Sequence, residues 1–547
     1  MKNNALLLEN IVKETIAEVQ LFDNSNNHAY EKSPATRVSE EGRQRELEEW
    51  RSSDIAIIGI SGKFADSPNV EAFWRNLKAG TCCVKPIRRK DWETHTSSEL
   101  GEAYNWGGML ESIDQFDPLF FNISPLEAAR MDPQQRIFLH EAYKSFEDAG
   151  YSAEQLSDKK VGVFVGARSS DYQEQALLRS NGVLHLSELD SHLFLGNDMA
   201  ILAARISYFL NLKGPSLTID TASSSSLVAI HLACESIRAG EAEMALAGGV
   251  FAMSSPAFYA MAAKTQMLSP DGKCKAFDKS ANGIVIGEGV GALVLKPLAS
   301  ALEDGDHIYG VIKGSAINQD GRTKGITAPN MLSQKDLLVS VYKKSAIDPE
   351  TISYIEAHGT GSKLGDPIEV QALTEAFKTF TDKKQFCAIG SHKANFGHTI
   401  VSAGIASVFK VLLSMKYEKL PPTLNIEEIN PQIDLQGSPF FINTELRTWK
   451  SHDGGKPRRA GISSFGLSGT NCHLILEEPP PHKARVRQQI SPYAFFPLSA
   501  RTKAALKQKV VDLIAWLKKE GEEYAIEDIS YTLVQGRSHF SFRLAVV

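Results

Sequence analysis

Residues 216–231 read SLTIDTASSSSLVAIH, a stretch in which a short strand, a tight turn and a helix follow one another. After the serines, Leu227 and Ile230 take up the spacing of a buried helix face. A helix that begins directly after such a turn leaves unpaired N–H groups and the positive end of its dipole near Ser223. A nucleophile would be activated, or an anion held, at this place. The alternative is a simple helix cap, which local chemistry alone favours because serine is a preferred N-cap residue.

Two further segments place chemically active side chains at strand ends. Residues 356–369 read EAHGTGSKLGDPIE, where a strand delivers His358 into a glycine-rich loop and Pro367 starts the next helix. Residues 390–399 read GSHKANFGHT, where another strand ends in a loop that carries Lys393 and His398. A single loop histidine is more typical of a hydrogen-bonded structural residue. Two such histidines, a lysine and a nucleophile position at a helix start together indicate a catalytic site.

The same alternation of strand and helix extends from Asp54 to about residue 478 and predicts a layered α/β domain. The predicted strands cover 55–60, 161–166, 216–220, 244–248, 291–296, 309–314, 352–357, 386–390, 440–443 and 472–476. The predicted helices include 199–210, 224–239, 331–345, 367–377 and 402–415.

The chain divides into three zones. Residues 1–52 are polar with one amphipathic stretch, which predicts an N-terminal helix and a linker. The α/β domain covers 53–478 and ends at a run of prolines, Pro479–Pro481. Residues 479–547 form a linker and a small α/β flanking subdomain with a helix over 502–519 and a strand over 542–547. Because the chain stops inside an apolar run, we expect this subdomain to be truncated.

Composition excludes several classes of protein. With 59 Lys and Arg against 65 Asp and Glu, the net charge is −6, so the chain lacks the basic character expected of a nucleic-acid-binding protein. No apolar run is long enough to span a membrane. The six cysteines (82, 83, 234, 274, 387 and 472) form neither a disulfide framework nor a zinc-binding pattern, which predicts a cytoplasmic protein.

Several short sequence motifs show a resemblance to a known family. They are FDPLFFNISP at 116–125, MDPQQR at 131–136, SPDGKC at 269–274 and SSFGLSGTN at 463–471, together with the three segments above. The chain resembles the ketosynthase domain of a modular polyketide synthase, a member of the thiolase-fold β-ketoacyl synthases, from about Asp54 to Glu478. The string TIVSAGIAS at 399–407 and the short flanking subdomain resemble assembly lines whose acyltransferase acts in trans.

The resemblance implies a thiolase-like αβαβα sandwich of two similar halves, about 53–300 and 301–478, and a homodimer. It also implies a chain-elongating reaction, the decarboxylative condensation of an acyl chain with a malonyl-type extender. Residue 223 would accept the acyl chain from an upstream acyl carrier protein. His358 and His398 would promote decarboxylation of the extender and stabilise the enolate. Lys393 would set the electrostatics beside them, with Glu369 as its ionic partner.

The remaining implied roles concern the backbone and the carrier. The N–H groups of Ser223 and Leu467 would form the oxyanion hole. Thr360 and Ser362 would line the path of the pantetheine arm, the latter replacing the family's usual threonine. No metal or nicotinamide motif is present. No intrinsic cofactor is therefore expected, and phosphopantetheine would arrive on the acyl carrier protein.

One departure from the family pattern concerns the nucleophile itself. The family has cysteine in a Thr-Ala-Cys-Ser-Ser string, and this chain has Ser223 at that position. A helix N-terminus shifts a pKa by about one unit, enough to help a thiol with a pKa near 8.5 but not a hydroxyl. Serine needs an adjacent general base. We therefore predict a condensation-deficient chain that holds an acyl group, and favour an engineered Cys→Ser substitution because both histidines and Lys393 are intact.

Two other functions stay open at this point. A natural non-elongating or decarboxylase ketosynthase-like domain would only decarboxylate or pass on its substrate, and members of that kind commonly lose a catalytic histidine. A serine hydrolase or acyltransferase would use Ser223, but it would want a GxSxG turn and an acid-oriented histidine. Ala222 and Ser224 flank Ser223 instead. Residues 1–52 and 479–547 could serve as docking segments under any of these functions.

Overall fold

The computed structural model describes residues 53–89, 92, 105–178, 190–451, 455–481 and 494–547. The predicted helix and linker over 1–52 lie outside these residues. The chain forms two compact units, of which the larger comprises Ser52–Asp148 and Asp158–Pro480. Within the described residues, the smaller unit comprises Ala149–Ser157 and the chain from Pro481 onward. The sequence did not predict that residues 149–157 would join the smaller unit.

Seventeen strands occur among the described residues. They are β1 (Ile55–Phe64), β2 (Lys85–Pro86), β3 (Trp106–Gly107), β4 (Val161–Gly166), β5 (Ser216–Ile219), β6 (Met244–Phe251), β7 (Gly289–Pro297), β8 (Gly310–Gln319), β9 (Ile352–Glu356), β10 (Cys387–Gly390), β11 (Lys419–Leu420), β12 (Phe440–Ile442), β13 (Arg447–Thr448), β14 (Arg459–Phe465), β15 (Thr470–Glu477), β16 (Phe496–Ala500) and β17 (Phe542–Val546). Each predicted strand has an observed counterpart. The strands that were not predicted are the short β2, β3, β11 and β13, the flanking β16, and β14.

Helices separate most of these strands. The α-helices are Val70–Lys78, Pro125–Arg130, Pro133–Asp148, Ala153–Leu156, Tyr172–Leu178, Ser191–Asn197, Met199–Leu210, Ser225–Arg238, Ala257–Lys264, Leu298–Asp304, Met331–Ser345, Gly365–Phe377, Lys393–Phe396, Ala403–Lys416, Lys503–Lys519 and Ile526–Gln535. Short 3-10 turns cover Pro349–Thr351, Ile400–Ser402 and Gly521–Glu523. Among the described residues no single helix could span a membrane, and one pair bent by 93°, Ser191–Asn197 with Met199–Leu210, meets length and composition limits together.

The main sheet of the larger unit has two halves that follow the two halves of the chain. Its eleven strands lie in the order β12-β10-β9-β14-β15-β8-β1-β7-β6-β4-β5. All strands on the β1 side come from the first half of the chain and all strands on the β8 side from the second. The two sides meet through a short antiparallel ladder in which Ile55 pairs with Ile312. This arrangement agrees with a thiolase-like fold, in which each half of the chain contributes one half of the core.

Two helices form the central layer of the larger unit. Ser225–Arg238 and Ala403–Lys416 contact each other, and each contacts strands from both halves of the sheet. Outer helices cover the opposite faces: Pro133–Asp148 packs on the first half, and Met331–Ser345 packs on the second. The sequence predicted only one apolar face for the helix near 402–415. In the structure every residue from Ala403 to Met415 is buried, because protein covers this helix on all sides.

The smaller unit contains the two-stranded antiparallel sheet β16–β17 and helices Lys503–Lys519 and Ile526–Gln535. Its other segment, which carries the short helix Ala153–Leu156, is held by hydrogen bonds. Ser538 Oγ accepts from the Ala153 N–H at 3.1 Å and donates to the Glu154 carboxylate at 2.9 Å. The unit is therefore a small α/β subdomain, as the sequence predicted, with one additional segment of chain.

Candidate active site

Ser223 lies in the turn between β5 and helix Ser225–Arg238, and only 5% of its surface is exposed. The preceding Ala222 has a φ of +57°, an unusual conformation for a residue with a side chain. The neighbouring serines hold this turn: Ser224 Oγ donates to the Thr221 carbonyl and Ser225 Oγ to the Ala222 carbonyl. The N-cap residue of the helix makes no side-chain cap bond. The serine run therefore builds the turn rather than a simple helix cap.

His398 faces Ser223 directly, with its Nε2 3.0 Å from the serine Oγ. Its other ring nitrogen, Nδ1, accepts the backbone N–H of Ile400 at 3.2 Å. Because a neutral imidazole has one donor and one acceptor nitrogen, this bond assigns the proton to Nε2. Burial, aided by the charge of Lys393, lowers the pKa of His398 well below its ordinary value. His398 therefore donates a hydrogen bond toward residue 223 and does not act as a base there.

Ile400 reaches this bond in a left-handed conformation, with a φ of +46°. This is a strained conformation for a β-branched side chain. The strained residue is the one whose N–H donates to Nδ1 of His398 and so fixes the proton on Nε2. The unfavourable backbone conformation of Ile400 therefore orients a site histidine.

His358 lies beside His398, with ring centroids 5.4 Å apart and planes at 84°. Burial lowers the pKa of His358 well below its ordinary value, and the charge of Lys393 adds to the effect. Phe465 packs on its other side, with ring centroids 5.7 Å apart. The site thus contains two neutral imidazoles, which suit the stabilisation of a developing negative charge.

Lys393 is almost completely buried, at 1% exposure. Burial lowers its pKa, and the nearby charges of Glu356 and Glu369 oppose that change. In the described part of the chain, no ion pair joins Lys393 to Glu369, the partner expected from the sequence. The Glu369 carboxylate instead accepts the backbone N–H groups of His358 at 2.7 Å and Gly359 at 2.9 Å. Glu369 therefore orients the histidine loop, because its helix begins directly beneath that loop.

A second buried carboxylate, Asp366, shapes the rest of the loop. It accepts backbone N–H groups from Thr360 at 3.2 Å, Gly361 at 3.1 Å and Ser362 at 3.4 Å. Burial raises its pKa to about 6 in spite of these bonds. The helix begins at Gly365 rather than at the predicted Pro367, which brings Asp366 under the loop. Asp366 was not among the residues predicted for the site; its place in the string Gly365-Asp366-Pro367 was the available signal.

The glycine-rich turn that carries Leu467 lies against the Ser223 turn. Ser464 Oγ donates to the Ser223 carbonyl at 2.9 Å, which joins segments that are distant in sequence. Leu467 itself is exposed. The geometry therefore places the two predicted oxyanion-hole segments next to each other.

We expect Gly466→Ala to separate these two turns. A Cβ at this position would overlap the carbonyl oxygen of Thr221, whereas Gly325 has open space around its Cα. Because backbone atoms cannot yield as a flexible side chain can, the variant should lose about 1–3 kcal/mol of unfolding free energy. Chemical denaturation would test this, with Gly325→Ala as the control. An unchanged unfolding free energy in Gly466→Ala would contradict the close contact of the two turns.

The fold and these side chains define a class of enzyme. A helix-start residue, two neutral histidines and a buried lysine meet in a thiolase-like α/β sandwich. This is the set of side chains expected of a condensing enzyme. Comparisons with known proteins give the family.

The chain belongs to the β-ketoacyl synthase family and is a ketosynthase of the polyketide synthase type. Residues 52–301 match the family described as "Beta-ketoacyl synthase, N-terminal domain", and residues 309–427 match "Beta-ketoacyl synthase, C-terminal domain". Residues 494–547 match "CurL-like, PKS C-terminal".

Among curated proteins, the chain is 48% identical over 511 residues to polyketide synthase PksL of Bacillus subtilis, covering 91% of this chain and 11% of that protein. It is 41% identical over 493 residues to polyketide synthase ThaG of Burkholderia thailandensis, covering 90% of this chain and 8% of that protein. The chain thus spans about a tenth of the length of these relatives.

Solved structures agree with the same family. A ketosynthase from module 6 of the bacillaene synthase of Bacillus subtilis, described as a mutant with serine in place of a cysteine, is 48% identical with a TM-score of 0.82. The match covers 90% of this chain and 82% of that structure. An oxazolomycin ketosynthase domain of Streptomyces albus is 37% identical with a TM-score of 0.81, over 90% and 85% of the two chains.

Proposed function

We propose that this site carries out the decarboxylative condensation of a carrier-bound acyl chain with a malonyl-type extender. The observation that carries the proposal is the hydrogen bond between Ser223 Oγ and His398 Nε2, with Nδ1 of the same ring held by Ile400. A histidine fixed as a donor cannot activate a serine for hydrolysis. It can stabilise the oxygen of an enolate or a tetrahedral intermediate.

The reaction has two stages in the form of the enzyme with cysteine at position 223. The thiolate attacks the thioester carbonyl of the incoming chain, a new C–S bond forms, the C–S bond to the carrier breaks, and the carrier leaves as a thiolate. The malonyl group then loses carbon dioxide, and the electron pair of the broken bond forms an enolate that His358 and His398 stabilise. The enolate carbon attacks the acyl carbonyl, a C–C bond forms, and the residue 223 thiolate leaves.

The other predicted residues have supporting roles in this proposal. Lys393 sets the positive potential near the enolate, and Glu369 orients the backbone that carries His358. The N–H groups of residue 223 and Leu467 hold the acyl oxygen. Thr360 and Ser362 contact the phosphopantetheine arm of an acyl carrier protein, the only prosthetic group that the reaction uses.

Ser223 makes the chain deficient in condensation under this proposal. A hydroxyl without a general base is a poor nucleophile, and His398 is oriented as a donor. The solved relative described as a Cys→Ser mutant supports an engineered origin for the serine here. The chain would hold a bound acyl group rather than elongate it.

The test is the identity of the product formed by the Ser223→Cys variant from an acyl thioester and malonyl-loaded carrier. A β-ketoacyl product supports condensation. Carbon dioxide without a new C–C bond would favour the decarboxylase alternative. Free acid released from simple esters by the unsubstituted chain, and lost on Ser223→Ala, would favour the hydrolase.

We also propose a homodimer, which pairs the edge strands β5 of two chains. Within the described residues, β5 pairs only with β4. Leu217 on this strand is 48% exposed, and the nearby helix residues Tyr208 and Phe194 are also exposed. An uncovered apolar sheet edge readily accepts another strand.

The six free cysteines support a cytoplasmic location, where a separate acyltransferase would supply the extender in trans.

We expect Leu217→Arg to dissociate the dimer, because it places a charge on the strand edge that the second chain would pair with. Sedimentation velocity would detect the monomer. Ile326→Arg is the matched control, since Ile326 is 89% exposed on a loop and should tolerate the charge. A dimer that persists in Leu217→Arg would contradict pairing through β5.

A further inference from the structure

A fully buried carboxylate, Glu356, lies where three functional segments meet. It is the last residue of β9, two positions before His358, and none of its surface is exposed. Its Oε1 accepts the backbone N–H of His392 at 2.8 Å and faces Nδ1 of the same residue at 2.9 Å. His392 directly precedes Lys393. One carboxylate oxygen thus holds the start of the lysine segment.

The other oxygen of Glu356 reaches the central helical layer. Oε2 lies 2.8 Å from Nζ of Lys410, which is also fully buried, and it accepts the hydroxyl of Tyr354 at 2.6 Å. Lys410 belongs to helix Ala403–Lys416, which follows the His398 loop through one 3-10 turn. Through its two oxygens, Glu356 therefore connects the segments of His358, Lys393 and His398.

A gain in folding stability does not explain why Glu356, Lys410 and His392 are buried together. Replacing a buried ion pair by apolar residues of similar volume is often neutral or stabilising. The orientation of His392 is also costly, because a carboxylate accepts only from a protonated Nδ1, which leaves Nε2 as an acceptor. In the described part of the chain this buried Nε2 has no partner. These features point to an electrostatic role.

The electrostatic role that we consider for Glu356 is its effect on the charge of Lys393. Its ammonium lies in a buried site beside two histidines. The Glu369 carboxylate accepts backbone N–H groups and does not pair with Lys393. The Glu356 charge favours the charged form of Lys393, and its Oε1 accepts the N–H of His392, the residue before Lys393. Burial raises the pKa of Glu356, but Lys410 and His392 bring it down to about 2, so it stays ionised.

We propose that Glu356 is a positioning residue for the condensation, which places a negative charge at the start of the Lys393 segment and aligns the segments that carry His358 and His398. The inference rests on the proposed function. Glu356 has no part in acyl loading, since the Ser223 turn is held by Ser224 and Ser225. Removal of its charge should therefore affect condensation far more than loading.

The experiment uses the full chain with Ser223→Cys as the parent. In that background, Glu356→Gln should lower the condensation rate by about tenfold to a hundredfold and leave acyl loading within about twofold. The alkaline limit of condensation should move down by about one pH unit, because Lys393 loses its proton more easily without a neighbouring negative charge.

Glu141→Gln is the matched control. Glu141 is another fully buried carboxylate with a pKa of about 2, and it lies on the outer helix Pro133–Asp148 with Lys63 and Lys144 as partners. Its substitution should cost stability without moving the pH limit. Equal pH profiles for the two variants would overturn the proposal.

The double substitution Glu356→Gln with Lys410→Met separates structure from charge. It removes both buried charges together, so the fold should regain the stability that the single variant loses. Condensation should stay low, because Lys393 still lacks its counter-charge. Recovery of condensation together with stability would overturn the proposal. Failure of the Ser223→Cys parent to condense at all would instead contradict the proposed function, which keeps the two failures distinct.

Discussion

Ser223→Cys should raise the rate of acyl loading at residue 223 by about a thousandfold or more and should restore condensation. A free thiol has a pKa of about 8.5, and a helix N-terminus lowers such a value further. A hydroxyl is several pKa units weaker as an acid, which the same field cannot offset. The thioester formed is also a better acyl donor than an oxyester.

Intact mass measurement after incubation with an acyl thioester would follow the loading, and product analysis with malonyl-loaded carrier would follow condensation. Ser224→Cys is the matched control, because Ser224 is the next residue along the chain but its hydroxyl bonds to Thr221. Loading of Ser224→Cys alone, or of neither variant, would show that residue 223 is not the nucleophile position.

His398→Ala should lower condensation by about a hundredfold to a thousandfold in the Ser223→Cys background. Removing one preorganised donor to a developing oxyanion typically costs about 2.7–4 kcal/mol of transition-state stabilisation. The Nε2 of His398 lies 3.0 Å from the residue 223 side chain, so it is placed to act on the reacting atoms. Steady-state rates with malonyl-loaded carrier would measure the loss.

His231→Ala is the control for the loss of a histidine. His231 lies on the helix that follows Ser223, and its Nδ1 is 2.9 Å from Ser315 Oγ, outside the set of site residues. Its substitution should leave the condensation rate nearly unchanged. A small effect of His398→Ala, similar to that of His231→Ala, would remove His398 from the mechanism.

Local patterns predicted most of the fold. The helices over 199–210 and 331–345 and the strand over 161–166 were predicted with their observed bounds, because apolar periodicity and end signals lie within the segments themselves. β14, Arg459–Phe465, was not predicted even though it is a central strand. Its small residues, such as Gly461 and Ser463, give little hydrophobic signal, and the neighbouring strands rather than its own side chains define it.

The candidate site was predictable as a set of residues but not as a set of contacts. The motif strings singled out Ser223, His358, Lys393 and His398, and their proximity to one another is observed only in the structure. The expected pairing of Lys393 with Glu369 did not form, because Glu369 lies beneath the His358 loop and accepts its N–H groups. The amino-acid sequence alone does not give the distances between these side chains.

The sequence by itself determined the α/β class, the family and the chemical types in the site, because strand ends, turns and helix starts are encoded by neighbouring residues. Tertiary structure alone decided which nitrogen of His398 carries the proton and that Glu369 binds the His358 loop instead of pairing with Lys393. It also decided that residues 149–157 join the smaller unit. Such properties depend on hydrogen bonds and charges between segments far apart in the chain, which only the folded arrangement brings together.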